Sequence, residues 1–182
     1  GGLDVNTLAE TGRKHSRTGQ PIRATALIQA VRYKQEAAAQ LLLDRGADPN
    51  LASNEGIAPL MAAAMQNFLL VLRLLIDANA ELNAAERDAG HTAFHYACAV
   101  GSADCAEALV RAGCDTSVRD KDGDTGRDCA QGNGHTAVLE RLAALKKTEA
   151  NRKKKEQKRR KKEREWLAAM GAEPEPEPEP EP

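Results

Sequence analysis

The sequence predicts an all-α solenoid made of about four copies of a short helix–turn–helix unit. GADPN at residues 46–50 follows an apolar run, and NAELN follows a similar run 33 positions later, at residues 79–83. GCDT at residues 113–116 comes after a further 34 positions. A second marker keeps the same spacing, at Thr25, Ala58, Thr92 and Thr125. A period of this length is typical of solenoids, in which stacked units bury one continuous core.

The composition favours thin helical layers. Aromatic residues make up only 3% of the 182 residues, so the core must be built from Leu, Ala, Val and Ile. No apolar run approaches the roughly 20 residues that a membrane-spanning helix needs. Four cysteines show no CxxC spacing, which indicates reduced, buried thiols and an intracellular protein, cytoplasmic or nuclear; they are Cys98, Cys105, Cys114 and Cys129.

Residues 1–19 are predicted to contain the end of a degenerate repeat and a polar insertion loop. GLDVN at residues 2–6 is similar to GADPN, which indicates a unit that ends at Asn6. On this interpretation the chain begins on a half-repeat or is part of a longer protein. From Asn6 to Thr25 is 19 positions, whereas Asn50 to Ala58 is 8. We expect the extra residues, about 10–20, to form an extended polar loop.

Residues 20–53 are predicted to hold the first complete unit, with helices over residues 25–33 and 36–45. Thr25 is the expected N-cap of the first helix. In the second helix Ala38, Leu41 and Leu42 fall on one face at helical spacing. Gly46 provides the left-handed residue that ends this helix. The units over residues 54–86, 87–119 and 120–145 repeat the plan.

This unit resembles the ankyrin repeat, whose motif runs D-x-x-G-x-T-P-L-H-x-A-A-x-x-G-H, followed by a V-x-x-L-L helix and G-A-D-V-N. The matching segments are GIAPLMAAA at 56–64, GHTAFHYAC at 90–98 and DKDGDT at 120–125. The resemblance covers about residues 20–145, as four repeats. In the last repeat Arg127 and Asp128 replace the Leu and His of the motif. This polarity suits a terminal repeat whose outer face meets water.

The resemblance implies a non-enzymatic scaffold or adaptor that binds another protein through the concave face, formed by turn tips and inner helices. It places the partner-binding positions at Gln29, Arg32, Tyr33, Asn54, Glu55, Ile57, Met65, Gln66, Asp88, His91, Tyr96, Val100, Lys121, Asp122 and Asp124, with Ala62, Ala89 and Ala99 among them. Ile57, Met65 and Tyr96 are apolar or aromatic where water is expected, as binding hot spots often are. The alternative is that Tyr96 covers a neighbouring helix and the repeats are a spacer.

No metal, cofactor or catalytic site is predicted. His91, His95 and Cys98 share roughly one helix face, but structural zinc needs a fourth ligand. In the ankyrin motif the histidine at the position of His95 bridges the backbone of neighbouring turns. DKDGD at residues 120–124 resembles a calcium loop, yet the sixth and twelfth positions of an EF-hand loop fall on Thr125 and Gln131. An enzyme subunit whose catalytic part lies outside this chain stays an alternative.

Residues 146–170 are predicted to form a basic helical arm. They hold 12 Lys/Arg and 4 Glu, a net charge of +8, and they lack proline. Glu149–Lys153 and Glu156–Arg160 have the spacing of stabilising helical ion pairs. Residues 171–182 are mainly a Glu-Pro alternation, which indicates a disordered acidic tail.

Three roles of the basic arm stay open: a solvated lever, docking to an import receptor, and docking to an anionic surface such as RNA or DNA. The residues concerned are Arg152, Lys153, Lys154, Lys155, Lys158, Arg159, Arg160, Lys161 and Lys162. The alternative function for the whole chain is a structural component of a large ribonucleoprotein or other assembly. In that case the arm contacts nucleic acid and the repeats act as a spacer.

Overall fold

Eight helices and one β-hairpin make up residues 4–15 and 18–170, which are the residues that the structure, a computed structural model, describes (the side chains of Leu167 and Ala168 excepted). In chain order the elements are β1 (Ala9–Lys14), β2 (Pro21–Ala24), α1 (Ala26–Arg32), α2 (Glu36–Asp44), α3 (Pro59–Met65), α4 (Leu69–Asp77), α5 (Ala93–Ala99), α6 (Ala103–Ala112), α7 (Gly126–Gly132) and α8 (Thr136–Ala169). Successive helices form pairs, which confirms the predicted all-α repeat architecture.

A threonine N-cap precedes each of the helices α1, α5 and α7. The hydroxyl of Thr25 accepts a hydrogen bond from the backbone N–H of Ile28 and so caps α1 as predicted. Thr92 and Thr125 cap α5 and α7 in the same way, and there the third helical residue returns a bond to the cap. These reciprocal bonds form capping boxes, which satisfy two backbone donors at once.

The ends of the outer helices require residues in the left-handed conformation. Gly46, after α2, has φ +82°, and Gly113, after α6, has φ +95°. Asn79 follows α4 with φ +60°. Asparagine tolerates this region better than other residues with a side chain, so Asn79 can stand after α4 where glycine follows α2 and α6.

Two rows of helices bury the core of the repeats. The inner helices pack in the order α1, α3, α5 and α7, and the outer helices in the order α2, α4 and α6. Leu27, Leu60 and Phe94, at equivalent positions of the inner helices, are at most 1% exposed. Leu75 and Leu109 of the outer helices are fully buried. Each buried side chain of this size contributes about 1.5–3 kcal/mol.

Asparagines at the ends of successive repeats make equivalent contacts. The Oδ1 atom of Asn50 accepts the backbone N–H of Glu81 at 2.7 Å, and that of Asn83 accepts the N–H of Asp115 at 2.8 Å. Asn6 does the same for Asp48, at 2.8 Å. The chain around Asn6 therefore takes the place that a repeat end takes further along, which supports the interpretation of residues 2–6.

The prediction of an extended loop at residues 10–20 was wrong for residues 10–14, which lie in strand β1 of a β-hairpin. β1 and β2 pair antiparallel, with Ala9 opposite Ala24 and Lys14 opposite Pro21. The register is irregular between Glu10 and Lys14, where Gly12 has φ +74°. The polar composition concealed β1, because its side chains are mostly exposed and show no strand alternation, whereas β2 alternates exposed and buried residues but is only four residues long.

Residues 143–170 belong to a second compact unit, and α8 contributes residues to both units. Within this unit the arm is helical and contains two ion pairs. The Nη2 atom of Arg160 is 3.2 Å from Oε1 of Glu156, and the Nζ atom of Lys161 is 3.8 Å from Oε1 of Glu165. The predicted Glu149–Lys153 pair is not among the ion pairs of residues 4–15 and 18–170. The predicted acidic tail lies outside the described residues.

No helix in the part of the chain that the structure describes is long and apolar enough to cross a membrane.

Candidate partner-binding surface

The ends of the inner helices present a row of exposed apolar side chains. Tyr33 and Val100 occupy equivalent positions after α1 and α5, and they are 63% and 46% exposed. Met65, at the end of α3, is 39% exposed. Gln66 lies beside it at the position equivalent to Tyr33, and Gln29 is partly buried on α1. We refer to this row, together with the turn tips that precede α3, α5 and α7, as the inner face.

Two predicted positions of the inner face are not accessible. Ile57 is 8% exposed and Ala62 is 2% exposed, so their assignment to an accessible surface was wrong. Ser53 explains the first case, since its backbone N–H donates to the carbonyl of Ile57 and its hydroxyl accepts the N–H of Ile57. This tight turn leaves Ile57 in the core. For the other positions, partner binding stays a prediction.

A side-chain oxygen near the start of each turn tip holds its backbone in shape. Ser53 accepts the N–H groups of Glu55 and Ile57 at 3.3 and 3.2 Å. Asp120 accepts those of Asp122 and Asp124 at 3.0 and 2.9 Å. Both residues stand at the aspartate position of the repeat motif. The tips that carry Glu55, Asp122 and Asp124 are therefore preorganised rather than mobile.

The third repeat achieves the same result with a different residue. Arg87 stands at the aspartate position of the motif there, and the carboxylate comes from Glu86, one position earlier. Glu86 is 6% exposed and accepts the N–H groups of Asp88 and Ala89 at 2.6 Å and of His91 at 3.3 Å. Glu86 was not among the residues that the sequence predicted for this surface. Its signal is an arginine at the motif's aspartate position with a glutamate directly before it.

Neighbouring turn tips are also joined to one another. The backbone N–H of Lys121 donates to the carbonyl of Ala89 at 2.8 Å, and its ammonium group donates to the carbonyl of Arg87. At the other end of the row the backbone N–H of Asn54 donates to the carbonyl of Arg23 at 3.0 Å, and the Asn54 side chain accepts the Arg23 N–H at 2.9 Å. Asn54 and Lys121, both predicted to bind a partner, thus also make hydrogen bonds that join neighbouring parts of this surface.

Three rings and a carboxylate meet where the third and fourth repeats adjoin. His91 contacts Tyr96 edge-on, with ring centroids 5.4 Å apart, and lies 5.7 Å from His95 in a stacked arrangement. The Nε2 atom of His91 is 3.2 Å from the Oδ2 atom of Asp120. Tyr96 is half-buried in this cluster. It therefore covers part of the His91 ring, while part of its own ring stays accessible.

Carboxylates dominate the electrostatics around Tyr96. Burial first, and the charges of Glu86, Asp88 and Glu55 second, raise the pKa of Tyr96 to about 12. The phenol therefore stays neutral and can donate a hydrogen bond. Arg32 offsets one of these carboxylates, since its Nη2 atom lies 3.5 Å from Oε2 of Glu55. The charges that act on Tyr96 are thus mainly negative.

The β-hairpin borders the inner face. The Nε2 atom of His15, at the hairpin end, is 3.6 Å from the Oδ2 atom of Asp88 on the third repeat. A groove of about 330 Å³ lies between them, lined by His15, Thr18, Gln20, Asn54, Glu55 and Asp88. The insertion therefore forms one wall beside the turn tips. The sequence did not predict this wall, because the insertion was expected to be an extended polar loop.

His95 joins two repeats in its neutral form. Its Nδ1 atom accepts the backbone N–H of Thr92 at 3.2 Å, so Nδ1 carries no proton. The proton then resides on Nε2, which donates to the carbonyl of Asp124 at 3.2 Å. The resemblance implied such a bridge between turns. Burial is the main cause that lowers the pKa of His95, because the buried imidazolium loses its hydration.

We expect His95 to make stability depend on pH between 7.5 and 5.5. Since the folded pKa lies below the ordinary value of about 6.5, the unfolded chain binds more protons in this range, and stability falls as the pH decreases. Urea unfolding of the wild type and of His95→Gln at both pH values measures the effect. The stability difference between the two proteins should shrink at pH 5.5. If the stability difference between the two proteins is the same at both pH values, His95 does not contribute to the pH dependence.

The cysteines are thiols with little chemical reactivity. Cys98, Cys105 and Cys114 are buried, and Cys129 is half-buried. Burial is the first cause that raises the pKa of Cys98 and Cys114 to about 12 and that of Cys105 to about 11. Thiolates are the nucleophilic form, so these groups stay protonated near neutral pH. Within the described residues, no group of three or more His, Cys, Asp or Glu is arranged to hold a metal ion.

Comparison with known proteins identifies the repeat. A family model described as ankyrin repeats (3 copies) matches residues 27–120, just over half of the 182-residue chain. The helices α7 and α8 lie beyond this match.

Several curated proteins share these repeats. Protein PhlB from Serratia liquefaciens is 37% identical over 103 residues, which cover 57% of this chain and 45% of that protein. The putative ankyrin repeat protein YahD of Escherichia coli (strain K12) is 30% identical over 89 residues, 49% of this chain and 39% of that protein. The putative palmitoyltransferase ZDHHC13 of Danio rerio is 29% identical over 127 residues, 66% of this chain and 19% of that protein. The chain spans less than half the length of each of these relatives.

The likeness to the palmitoyltransferase covers only the repeats, and repeats of this kind are typically non-enzymatic. The regular helix pairs, the left-handed residues after the outer helices and the family match lead to one conclusion. The chain belongs to the ankyrin-repeat family, whose repeats are generally protein–protein interaction modules.

Proposed function

We propose that this chain is an adaptor that binds a partner protein through the inner face of residues 20–145. The observation that carries the proposal is the exposure of Tyr33, Met65 and Val100 in a row across three repeats. Large apolar and aromatic side chains on an otherwise polar surface are typical binding anchors. The fixed turn tips support the same function, since a preorganised surface loses little entropy on binding.

The charges of the inner face indicate the chemistry of the partner. Asp88, Asp122 and Asp124 are exposed on the turn tips, and so are the cations Arg87 and Lys121. This excess of carboxylates favours a partner segment with basic side chains around an apolar anchor. Free, protonated thiols support a reducing compartment, so the proposal places the adaptor in the cytoplasm or nucleus.

We expect Met65→Ala and Tyr96→Ala each to weaken partner capture by about tenfold or more, the effect of losing a hot-spot side chain. The full chain is used as bait in a nuclease-treated lysate, and the captured proteins are quantified by mass spectrometry against the wild type. Circular dichroism and thermal unfolding verify that each variant is folded.

Leu70→Ala provides the matched control, because Leu70 is 54% exposed but lies on the outer helix α4. Its removal should leave capture unchanged. If Leu70→Ala reduces capture as much as Met65→Ala does, or if neither inner-face variant reduces it, the inner face is not the binding surface.

We further propose that the basic arm at residues 146–170 docks to an anionic surface or to an import receptor. The nine predicted Lys and Arg residues between positions 152 and 162 are all exposed, which supports this role. Docking of the arm would hold the repeats, and the partner bound to them, near that surface.

A further inference from the structure

Six lysines of the arm share one side of α8. At 3.6 residues per turn, Lys147, Lys154, Lys155, Lys158, Lys161 and Lys162 fall within an arc of about 120°. We refer to them as the lysine face. The same arc contains no carboxylate between residues 147 and 162; Asn151 lies there instead. Lysines on one face of a helix act together on a single partner surface.

The opposite side of the helix neutralises its own charge. Glu149, Glu156 and Glu163 recur every seven residues and therefore form an acidic stripe. Arg160 is paired with Glu156 at 3.2 Å on this side, and Arg152 and Lys153 flank the stripe. The net positive charge of the arm is thus concentrated on the lysine face. The composition of the arm alone does not show this uneven distribution.

The lysine face keeps its charge available. Lys154, Lys155, Lys158 and Lys162 are exposed and take part in none of the ion pairs found among residues 4–15 and 18–170. Lys161 alone of the six is paired, with Glu165 at 3.8 Å in a fully solvated setting. Exposed pairs of this kind contribute at most about 1 kcal/mol. The face therefore presents a row of hydrated ammonium groups over about 22 Å, at 1.5 Å per residue.

We propose that the lysine face binds the phosphate backbone of a nucleic-acid duplex. This inference rests on the proposed docking role of the arm and names its partner. A duplex carries one negative charge per about 1.7 Å, so a segment of about 22 Å offers roughly 13 phosphates to six lysines. Ammonium groups bind phosphates as point charges and need no fixed orientation.

Other anionic partners fit the lysine face less well. A helix that lies on a membrane needs an apolar face opposite its charges, and the side opposite the lysine face is the acidic stripe. Recognition of single strands relies on aromatic side chains that stack on bases, and none lies between residues 147 and 162. A rigid helix with charge along one side matches the regular charge of a duplex.

Two triple variants test the proposal in the full chain. Lys154→Gln/Lys158→Gln/Lys162→Gln neutralises the lysine face. Arg152→Gln/Lys153→Gln/Arg160→Gln removes the same charge from the opposite side. Glutamine is a good helix former, and circular dichroism checks that both helices persist. Fluorescence anisotropy measures binding to 20-base-pair DNA and RNA duplexes, to a 20-nucleotide single strand and to phosphatidylserine vesicles, between 50 and 200 mM salt.

The proposal expects a wild-type salt slope of about −5 on duplexes, since each phosphate contact contributes about −0.9. The lysine-face variant should reduce the slope by about 3 and weaken duplex binding at least tenfold more than the control variant does. DNA and RNA should bind alike, because the contacts are to phosphates. Equal losses in the two variants, or tighter binding to vesicles or to the single strand, would overturn the lysine face as a duplex site while leaving the docking role. Wild-type binding to none of the probes would overturn both the duplex site and the docking of the arm to an anionic surface, and would leave only an import receptor as its partner.

Discussion

Glu86→Ala is expected to destabilise the repeats by about 3 kcal/mol, although Glu86 lies on a turn and not in the apolar core. Its carboxylate accepts three backbone N–H groups, those of Asp88, Ala89 and His91. A buried donor that loses its acceptor costs about 1–3 kcal/mol, and the loss affects several donors at once. Urea unfolding measures the change. Partner capture should fall as well, since Asp88 and His91 lose their positions on the inner face.

A second substitution distinguishes this explanation from a general loss of packing. Arg87 occupies the motif position that Asp120 holds in the next repeat, where the carboxylate organises the turn. Glu86→Ala/Arg87→Asp should therefore recover a substantial part of the stability. If the double variant is no more stable than Glu86→Ala, an aspartate at position 87 does not replace the carboxylate of Glu86. If Glu86→Ala is as stable as the wild type, the three hydrogen bonds to Glu86 do not stabilise the turn.

Leu75→Ala is expected to cost about 3 kcal/mol, whereas Leu42→Ala at the equivalent position of the first helix pair should cost about 1 kcal/mol. Leu75 on α4 is fully buried, and Leu42 on α2 is only half-buried. Truncation of a buried leucine removes its transfer free energy and leaves a cavity, together about 2–5 kcal/mol. At Leu42 solvent already reaches the side chain, so less is lost. Urea unfolding of both variants and of Leu109→Ala provides the comparison.

The first helix pair differs from the others because a face that the later pairs bury is open in the described residues. Ala26 and Ala38 are exposed, whereas the side chains at the same positions of the later pairs are buried. Leu41 and Leu42 line a groove of about 650 Å³ there, which Val5 and Ala9 border. If Leu42→Ala lowers the free energy of unfolding as much as Leu75→Ala and Leu109→Ala do, the partial exposure of Leu42 does not reduce its contribution to stability.

Helix boundaries and caps could be predicted because their causes are local. The period of about 33 residues, the threonine caps and the left-handed Gly46 and Asn79 depend on residues within a few positions of each other. The family likeness rests on the same short motifs. The exposed positions of Tyr33 and Met65 could be placed from the repeat register alone, because equivalent positions of a repeat have equivalent surroundings.

The sequence by itself thus determined the repeat, its helices and the segregation of charge into the arm, since local spacing and composition control all three. Only the tertiary structure decided the pairing of β1 with β2, the burial of Ile57 and the role of Glu86 beside Arg87. These features depend on backbone groups that fold back on one another or come from another repeat. Neither periodicity nor propensity records such contacts, because both describe a residue by its neighbours along the chain.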